Sequence, residues 1–129
     1  TESDDSLSPD SSTGSTVDLS APGSSIKTVS AFPPFGATDS TTSGGCSLAV
    51  PVVVGVSSLI HAYCPGIPRY QLEKYLRESA VDLGPSGWDS GFGWGRINAH
   101  GALLAFFEEF IGCYGFEDDG FFGWSFVEQ

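Results

Sequence analysis

Basic side chains are scarce in this chain of 129 residues, where 5 Lys and Arg stand against 16 Asp and Glu and set a formal net charge of −11. Binding to nucleic acid without sequence preference needs surplus Lys and Arg facing the phosphates, so we do not expect it here. The same charge disfavours anionic membrane surfaces. Long apolar runs are also lacking: none approaches the roughly 18 residues of a membrane span, and no charged-then-apolar signal peptide opens the chain.

Methionine is absent, and cysteine is rare. Without any Met, Thr1 does not follow an intact initiator, and we expect a processed or truncated product. The cysteines Cys46, Cys64 and Cys113 are too few for a disulfide scaffold, and they form no Cys-x-x-Cys or clustered Cys/His pattern typical of zinc sites. One disulfide with one free thiol and three buried thiols both fit, so cysteine usage leaves the redox compartment open.

Apolar and aromatic residues are plentiful, with 40% hydrophobic residues that include 10 Phe, 4 Tyr and 3 Trp, which argues against disorder of the whole chain. The first 46 residues differ, because 19 of them are Ser or Thr. That composition fits either a loop-rich domain edge or a disordered segment. Within it, residues 17–21 alternate like a half-buried strand that Pro22 and Gly23 terminate, and residues 26–29 are consistent with a second short strand.

The apolar segment 48–63 carries no charged residue. Periodicity alone does not separate a buried strand from a buried helix, but the segment is far longer than a typical strand and therefore predicts a helix. Pro51 would then lie in the first turn, where its missing N–H leaves no group unsatisfied. A glycine inside a helix costs about 1 kcal/mol relative to alanine, so Gly55 indicates a close backbone contact.

Two further helices are predicted downstream. Residues 68–80 show an amphipathic pattern, with Glu73 and Arg77 at the i,i+4 spacing of an ion pair. Residues 98–111 form the last predicted helix, with Asn98 as its N-cap. The tail 113–129 mixes aromatic and acidic residues without a period, and we assign it no regular structure.

Chemistry is expected where the polar region meets the apolar segment, in residues 45–51 (Gly-Cys-Ser-Leu-Ala-Val-Pro). Ser47 there is a hydroxyl at the N-terminus of a predicted buried helix, whose first-turn N–H groups lack acceptors and whose dipole is positive. Those donors could stabilise negative charge on a substrate oxygen, so Ser47 is a reasonable nucleophile. The alternative is that Ser47 is only the N-cap of the helix.

Three motifs in order resemble the subtilisin-like serine proteases (subtilases, peptidase family S8). Residues 45–51 resemble the active-site signature Gly-Thr-Ser-Met-Ala-x-Pro, residues 17–23 the strand and turn before it, and residues 91–99 the later Tyr-Gly-x-Gly-x-Ile-Asn-Ala ending. The resemblance implies the C-terminal part of an α/β domain with a parallel sheet. It implies that Ser47 is the nucleophile, that the Ser47 N–H forms part of the oxyanion hole, and that 48–63 is the central helix.

Two positions depart from that signature. Leu48 stands where the family usually has Met, an exchange that conserves volume. Cys46 stands where the family has Thr, which removes a hydroxyl beside the nucleophile and adds an oxidisable sulfur.

The base and acid that a serine nucleophile requires are not expected within this chain. His61 follows Ser47 by 14 residues on the same predicted helix, about 21 Å along its axis, and is interpreted as a core or partly exposed helix residue. His100 falls in a stretch that is structural in the family. Asp18 precedes the nucleophile too closely to match the catalytic Asp, since the family order is Asp, His, Ser; we interpret it as a solvated turn carboxylate.

We therefore expect residues 1–112 to be the C-terminal portion of a subtilisin-like peptidase domain and 113–129 a separate tail. The expected function is serine endopeptidase activity on protein or peptide substrates outside the cytosol. The N-terminal remainder of the domain is needed, so the chain alone should be inactive and should expose the apolar face of its long helix. No cofactor is expected, although structural calcium is compatible with the whole domain. Neither the glycines of 91–95 nor the acidic turn 117–120 has the spacing of a dinucleotide or EF-hand site.

The alternative function is that of a subtilase-derived pseudoenzyme or interaction module with an acidic binding surface. The coding sequence upstream of Thr1 distinguishes the two, because only the peptidase requires His and Asp segments there.

Overall fold

The computed structural model describes residues 1–29 and 40–109. Strand β1 (Ile26–Val29) pairs antiparallel with β2 (Ser40–Ser43), in a register that places Ile26 opposite Ser43. Three helices follow: α1 (Cys46–Tyr63), α2 (Arg69–Glu78) and α3 (Ala99–Glu109). The strand predicted at 26–29 and the three predicted helices are confirmed. The predictions for the tail lie outside the described residues.

The polar N-terminal region is a loop-rich edge in its described part. The N–H of Gly14 donates to the carbonyl of Ser90 at 2.9 Å, which ties this edge to the later loop. Residues 17–21 form no regular strand, contrary to the prediction; among the described residues they contribute one parallel bridge, between Ser20 and Arg96. A regular strand needs several consecutive residues paired with a neighbouring strand. Here Arg96 forms one isolated bridge with Ser20 and another with Val81 on its other side, and neither bridge extends into a ladder.

The glycines of 91–95 allow this close approach of backbones. A Cβ on Gly93 would collide with the backbone carbonyl of Asp18, and one on Gly95 with the carbonyl of Val81. Both glycines also have positive φ angles, of 66° and 116°, which side chains disfavour. The glycines of 91–95 therefore let this segment pack directly against the backbone at Asp18 and the backbone at Val81.

Helix α1 begins two residues before the predicted start. Pro51 is consequently inside the helix instead of in its first turn, and its missing N–H leaves the carbonyl of Ser47 without its i+4 donor. The close contact predicted at Gly55 is not found, since a Cβ there would have no atom within 4 Å in the described part of the chain.

The hydrophobic core lies between the three helices. Tyr75 of α2 meets Phe106 of α3 edge-to-face, with ring centroids 5.8 Å apart. Asn98 caps α3 as predicted, because its Oδ1 accepts the N–H of Gly101 at 3.0 Å. Among the described residues, the buried apolar side chains are Ala21, Val56, Ile60, Cys64, Ile67, Tyr75, Leu76, Ile97, Ala102 and Phe106.

Ion pairs connect the helices to one another and to the N-terminal region. The predicted pair of Glu73 and Arg77 is present at 3.7 Å. Lys74 of α2 contacts Glu109 of α3 at 2.8 Å, and their pairing raises the pKa of Lys74 and lowers the pKa of Glu109. Both pairs lie at the surface, where an ion pair contributes little to stability.

Helix α1 exposes most of its apolar surface. Only Val56 and Ile60 are buried, whereas Val50, Val54 and Tyr63 are more than half exposed. The expected exposed apolar face is thus confirmed, and the expectation of a buried helix does not hold for this chain.

The expectation that no segment has the length and composition of a membrane span also needs correction, because α1 has both. A helix that is apolar on all sides requires covering on all sides, and α2 and α3 cover only one.

Candidate active site

Ser47 is the second residue of α1 and is exposed at the N-terminal end of that helix. Its N–H belongs to the first turn, where an α-helix offers no acceptor. Within the described part of the chain, neither the Ser47 N–H nor its Oγ has a hydrogen-bond partner. A hydroxyl and an available amide donor therefore stand on the same residue.

Gly45, and not Ser47, is the N-cap of α1, so the interpretation of Ser47 as a mere cap is wrong. The carbonyl of Gly45 accepts the N–H of Leu48 at 2.9 Å, which is the first hydrogen bond of the helix. A Ser or Asp at the N-cap would place its side-chain oxygen on the N2 or N3 amide, and N2 here is Ser47. Because Gly45 has no side chain, the Ser47 amide is left available to a ligand.

The electrostatics of the helix end favour an anion. The first turn of α1 contains no acidic residue, so no side chain there offsets the positive end of the helix dipole. An oxygen that gains negative charge beside the Ser47 N–H would be stabilised by this field and by the amide itself.

The turn before α1 is held by direct backbone contact with residue 23. The N–H of Gly45 donates to the carbonyl of Gly23 at 2.7 Å, and Gly23 is buried. The sequence predicts Pro22 and Gly23 only as the end of a strand and does not predict this contact. The signal that could have revealed it is the pair of small residues, Gly44 and Gly45, opposite another glycine.

A cavity of about 250 Å³ lies beside this turn, on the side of Cys46. The residues that line it include the acidic residues Glu2 and Asp10 and the serines Ser8, Ser11 and Ser24. Hydrogen bonds from Ser24 and Ser8 lower the pKa of Glu2. Ser47 does not line this cavity. Within residues 1–29 and 40–109, no group of three or more His, Cys, Asp or Glu is placed to hold a metal ion.

The other predicted positions lie away from the nucleophile or are engaged elsewhere. His61 is exposed in the last turn of α1, and His100 is exposed at the second position of α3. Asp18 is not simply a solvated turn carboxylate, because its side chain pairs with Arg77 at 2.9 Å. Asp18 thus joins the N-terminal region to α2 and is not brought to Ser47.

The cysteines divide as one of the two alternatives predicted. Cys64 is disulfide-bonded and Cys46 is a free thiol that is exposed beside Ser47. Cys113 lies outside the described residues. The alternative of three buried thiols is therefore wrong.

Comparison with known proteins identifies the framework around Ser47. The family model described as the Subtilase family matches residues 1–95. The chain is 33% identical over 99 residues to the halolysin-like extracellular serine protease Nep of Natrialba magadii, covering 77% of this chain and 17% of that protein. It is 35% identical over 87 residues to the minor extracellular protease Epr of Bacillus subtilis, covering 67% of this chain and 13% of that protein. The chain thus spans less than a fifth of the length of these relatives.

Solved structures give the same result for the fold. The psychrophilic subtilisin-like protease Apa1 from Pseudoalteromonas sp. AS-11 aligns with a TM-score of 0.52 and 35% identity, over 57% of this chain and 17% of Apa1. Fervidolysin from Fervidobacterium pennivorans aligns with a TM-score of 0.53 and 26% identity, over 64% of this chain and 14% of fervidolysin. The fold is accordingly that of the subtilisin-like α/β proteases, and the chain belongs to the subtilase family.

Proposed function

We propose that this chain supplies the nucleophile and part of the oxyanion hole of a subtilisin-like serine endopeptidase. The observation that carries the proposal is the position of Ser47, exposed at the first turn of α1 with a free backbone N–H. Membership of the subtilase family supports it, as do the relatives named as extracellular serine proteases.

In the proposed reaction, Ser47 Oγ attacks the carbonyl carbon of a peptide bond and loses its proton to a base. The carbonyl oxygen becomes an oxyanion and accepts the Ser47 N–H at the positive end of α1. The intermediate collapses when the base returns the proton to the leaving amine, which leaves an acyl-enzyme that water hydrolyses. This sequence of acyl transfers requires no cofactor.

We assign the base to a segment other than the described residues. His61 lies about 21 Å from Ser47 along α1, at about 1.5 Å per residue, which is far beyond hydrogen-bond reach. The intact protein, in which this chain is joined to the segments that carry the base and its carboxylate partner, is therefore the expected active form. We expect the chain alone to be inactive.

The substrates proposed are proteins or peptides, and the proposed location is outside the cytosol. Support for this location comes from the relatives, of which three carry the word extracellular in their names. A free thiol at Cys46 does not oppose it, because Cys64 is disulfide-bonded in the same chain.

A fluorophosphonate probe tests the assignment. The probe should bond to Ser47 Oγ with loss of fluoride in the intact protein, and peptide mapping should recover the label there. Ser47→Ala should abolish labelling. Ser58→Ala is a matched control, since Ser58 is also exposed on α1 and its hydroxyl only donates to the carbonyl of Val54. Equal labelling with and without Ser47 would contradict the assignment, and an intact protein that is not labelled at all would favour the pseudoenzyme.

A further inference from the structure

The backbone of Gly23 is in direct contact with the turn that precedes Ser47. Its carbonyl accepts the Gly45 N–H at 2.7 Å, and its own N–H donates to the carbonyl of Thr1 at 3.1 Å. Both peptide groups of this buried residue are therefore engaged, and Gly23 is fixed relative to the rest of the N-terminal region.

No side chain fits at this position. A Cβ on Gly23 would lie 2.9 Å from the carbonyl oxygen of Gly45 and 3.2 Å from the Cβ of Ala49. The nearer atom is backbone and cannot rotate away, so a side chain would force the turn or the helix to shift. Gly44 faces the same junction, where its Cβ would lie 3.3 Å from the carbonyl oxygen of Gly23.

The atom that Gly23 touches also sets the first turn of α1. The carbonyl oxygen of Gly45 accepts the N–H of Leu48 at 2.9 Å, and Ser47 lies between these two residues. A displacement of this oxygen therefore moves the Ser47 amide and hydroxyl, although Gly23 itself contacts neither.

We infer that Gly23 is a positioning residue for the Ser47 nucleophile and its oxyanion donor. This inference rests on the proposed function. Its physical basis is that the absent side chain lets two backbones meet at hydrogen-bond distance, which fixes the first turn of α1 against the N-terminal region. Because a misplacement of about 1 Å at a reacting group can cost about a hundredfold in rate, shifts of a few tenths of an ångström should be measurable.

The test is a graded series of alanine variants in the intact protein. Gly23→Ala should lower kcat about tenfold with KM nearly unchanged, because the turn shifts without a change in substrate contacts. Gly44→Ala should lower kcat less, since its closest contact is longer. Gly66→Ala is the control, because it is exposed and a Cβ there would meet nothing within 4 Å in the described part of the chain; it should retain the parental kcat.

The urea midpoint of each variant is measured alongside kcat, KM and the rate of fluorophosphonate labelling at Ser47. A kcat loss that follows the order Gly23, Gly44, Gly66 in folded variants supports the inference. If Gly23→Ala fails to fold, Gly44→Ala decides, and an unchanged kcat there overturns the inference. If the parental protein is labelled at Ser47 and the folded Gly23→Ala variant keeps its full kcat, the inference is overturned but the proposed function is not. A parental protein without labelling at Ser47 overturns the proposed function and the inference with it.

Discussion

Gly45 determines what the first turn of α1 can bind. As the N-cap it has φ 136° and ψ 162°, a backbone conformation that residues with a side chain adopt only under strain. Because Gly45 has no side chain, it can adopt this conformation and also offers no side-chain acceptor to the Ser47 amide. The unusual backbone conformation and the available donor therefore both result from the glycine at the N-cap. Gly23, whose carbonyl accepts the Gly45 N–H, leaves room for this contact because it has no side chain, whereas Gly45 provides the backbone conformation of the N-cap.

Gly45→Ala should therefore destabilise the intact protein through strain and not through collision. A Cβ at this position would meet only Ser47 Oγ, at 3.8 Å, which is an ordinary contact. We expect a loss of about 1–3 kcal/mol in the free energy of unfolding, measured by urea titration. Gly66→Ala, without the positive φ, should change it by less than about 0.5 kcal/mol. Equal stability of the two variants would show that the N-cap is not strained.

At the scale of elements, the packing of α1, α2 and α3 depends on a few buried aromatic and aliphatic side chains. Phe106 and Ile60 are fully buried, and Phe106 contacts the ring of Tyr75. The adjacent Phe107 also touches an aromatic ring, that of Tyr63, but is half exposed. Neighbouring residues of the same type thus differ mainly in burial.

Phe106→Ala should cost about 3–5 kcal/mol in the free energy of unfolding, since it loses the transfer energy of a buried ring and leaves a cavity. Phe107→Ala should cost clearly less, because its ring is already half in water. Denaturant unfolding of the intact variants, followed by tryptophan fluorescence, measures both. Equal losses would mean that α3 is packed differently from the arrangement described.

The contact between α2 and α3 should also depend on pH. Lys74 lowers the pKa of Glu109 through a hydrogen bond, so the contribution of this pair is complete above the ordinary Glu pKa of 4.5 and is lost as the pH falls through the lowered pKa. Glu109 raises the pKa of Lys74 above 10.5, so the contribution is lost again as the pH rises through that raised pKa.

Glu109→Gln should flatten the acid limb of the stability profile by a small amount, since both side chains are exposed. Glu108→Gln, one residue earlier on α3 and also exposed, provides the control. Stability of the intact variants from pH 3 to 7 measures the difference. An acid limb that is identical in the Glu109→Gln variant and the parent would show that this ion pair does not link folding to pH.

Elements with local signals were predictable from the sequence, and those that need distant partners were not. The length of the apolar segment predicts α1, and Asn98 predicts the start of α3, since capping and helix length are local properties. The start of α1 was displaced because a glycine capped the helix and Pro51 was accommodated inside it. Residues 17–21 alternate like a strand, yet strand formation requires a paired neighbour along its whole length. The role of Gly23 depends on a residue 22 positions away, so its signal is divided between two glycine-containing segments and is not local.

At the scale of the whole molecule, the exposed apolar side of α1 is the main feature that this chain leaves unsatisfied. Val50, Val54, Leu59 and Tyr63 are about half exposed or more, with Leu104 and Phe107 of α3 similarly exposed. A patch of this kind marks a surface that other protein segments cover. The chain belongs to the subtilase family and spans less than a fifth of the length of the relatives it matches, and we propose that other segments of the intact protein cover this surface.

The isolated 129-residue chain should consequently bind the dye ANS, self-associate on a sizing column and remain unlabelled by the fluorophosphonate probe. The intact protein should bind little dye and react with the probe, since the same surface is covered and the base is present. A monomeric isolated chain that binds no dye would contradict the account of α1, and labelling of Ser47 in it would contradict the assignment of the base to other segments.

The most direct test of the central claim is a crystal structure of the intact protein after reaction with the fluorophosphonate. We predict that phosphorus is bonded to Ser47 Oγ and that the phosphonyl oxygen accepts the Ser47 N–H at about 2.7–3.1 Å, at the N-terminal end of α1. An adduct on a different residue, or a phosphonyl oxygen that points away from the Ser47 amide, would contradict the account.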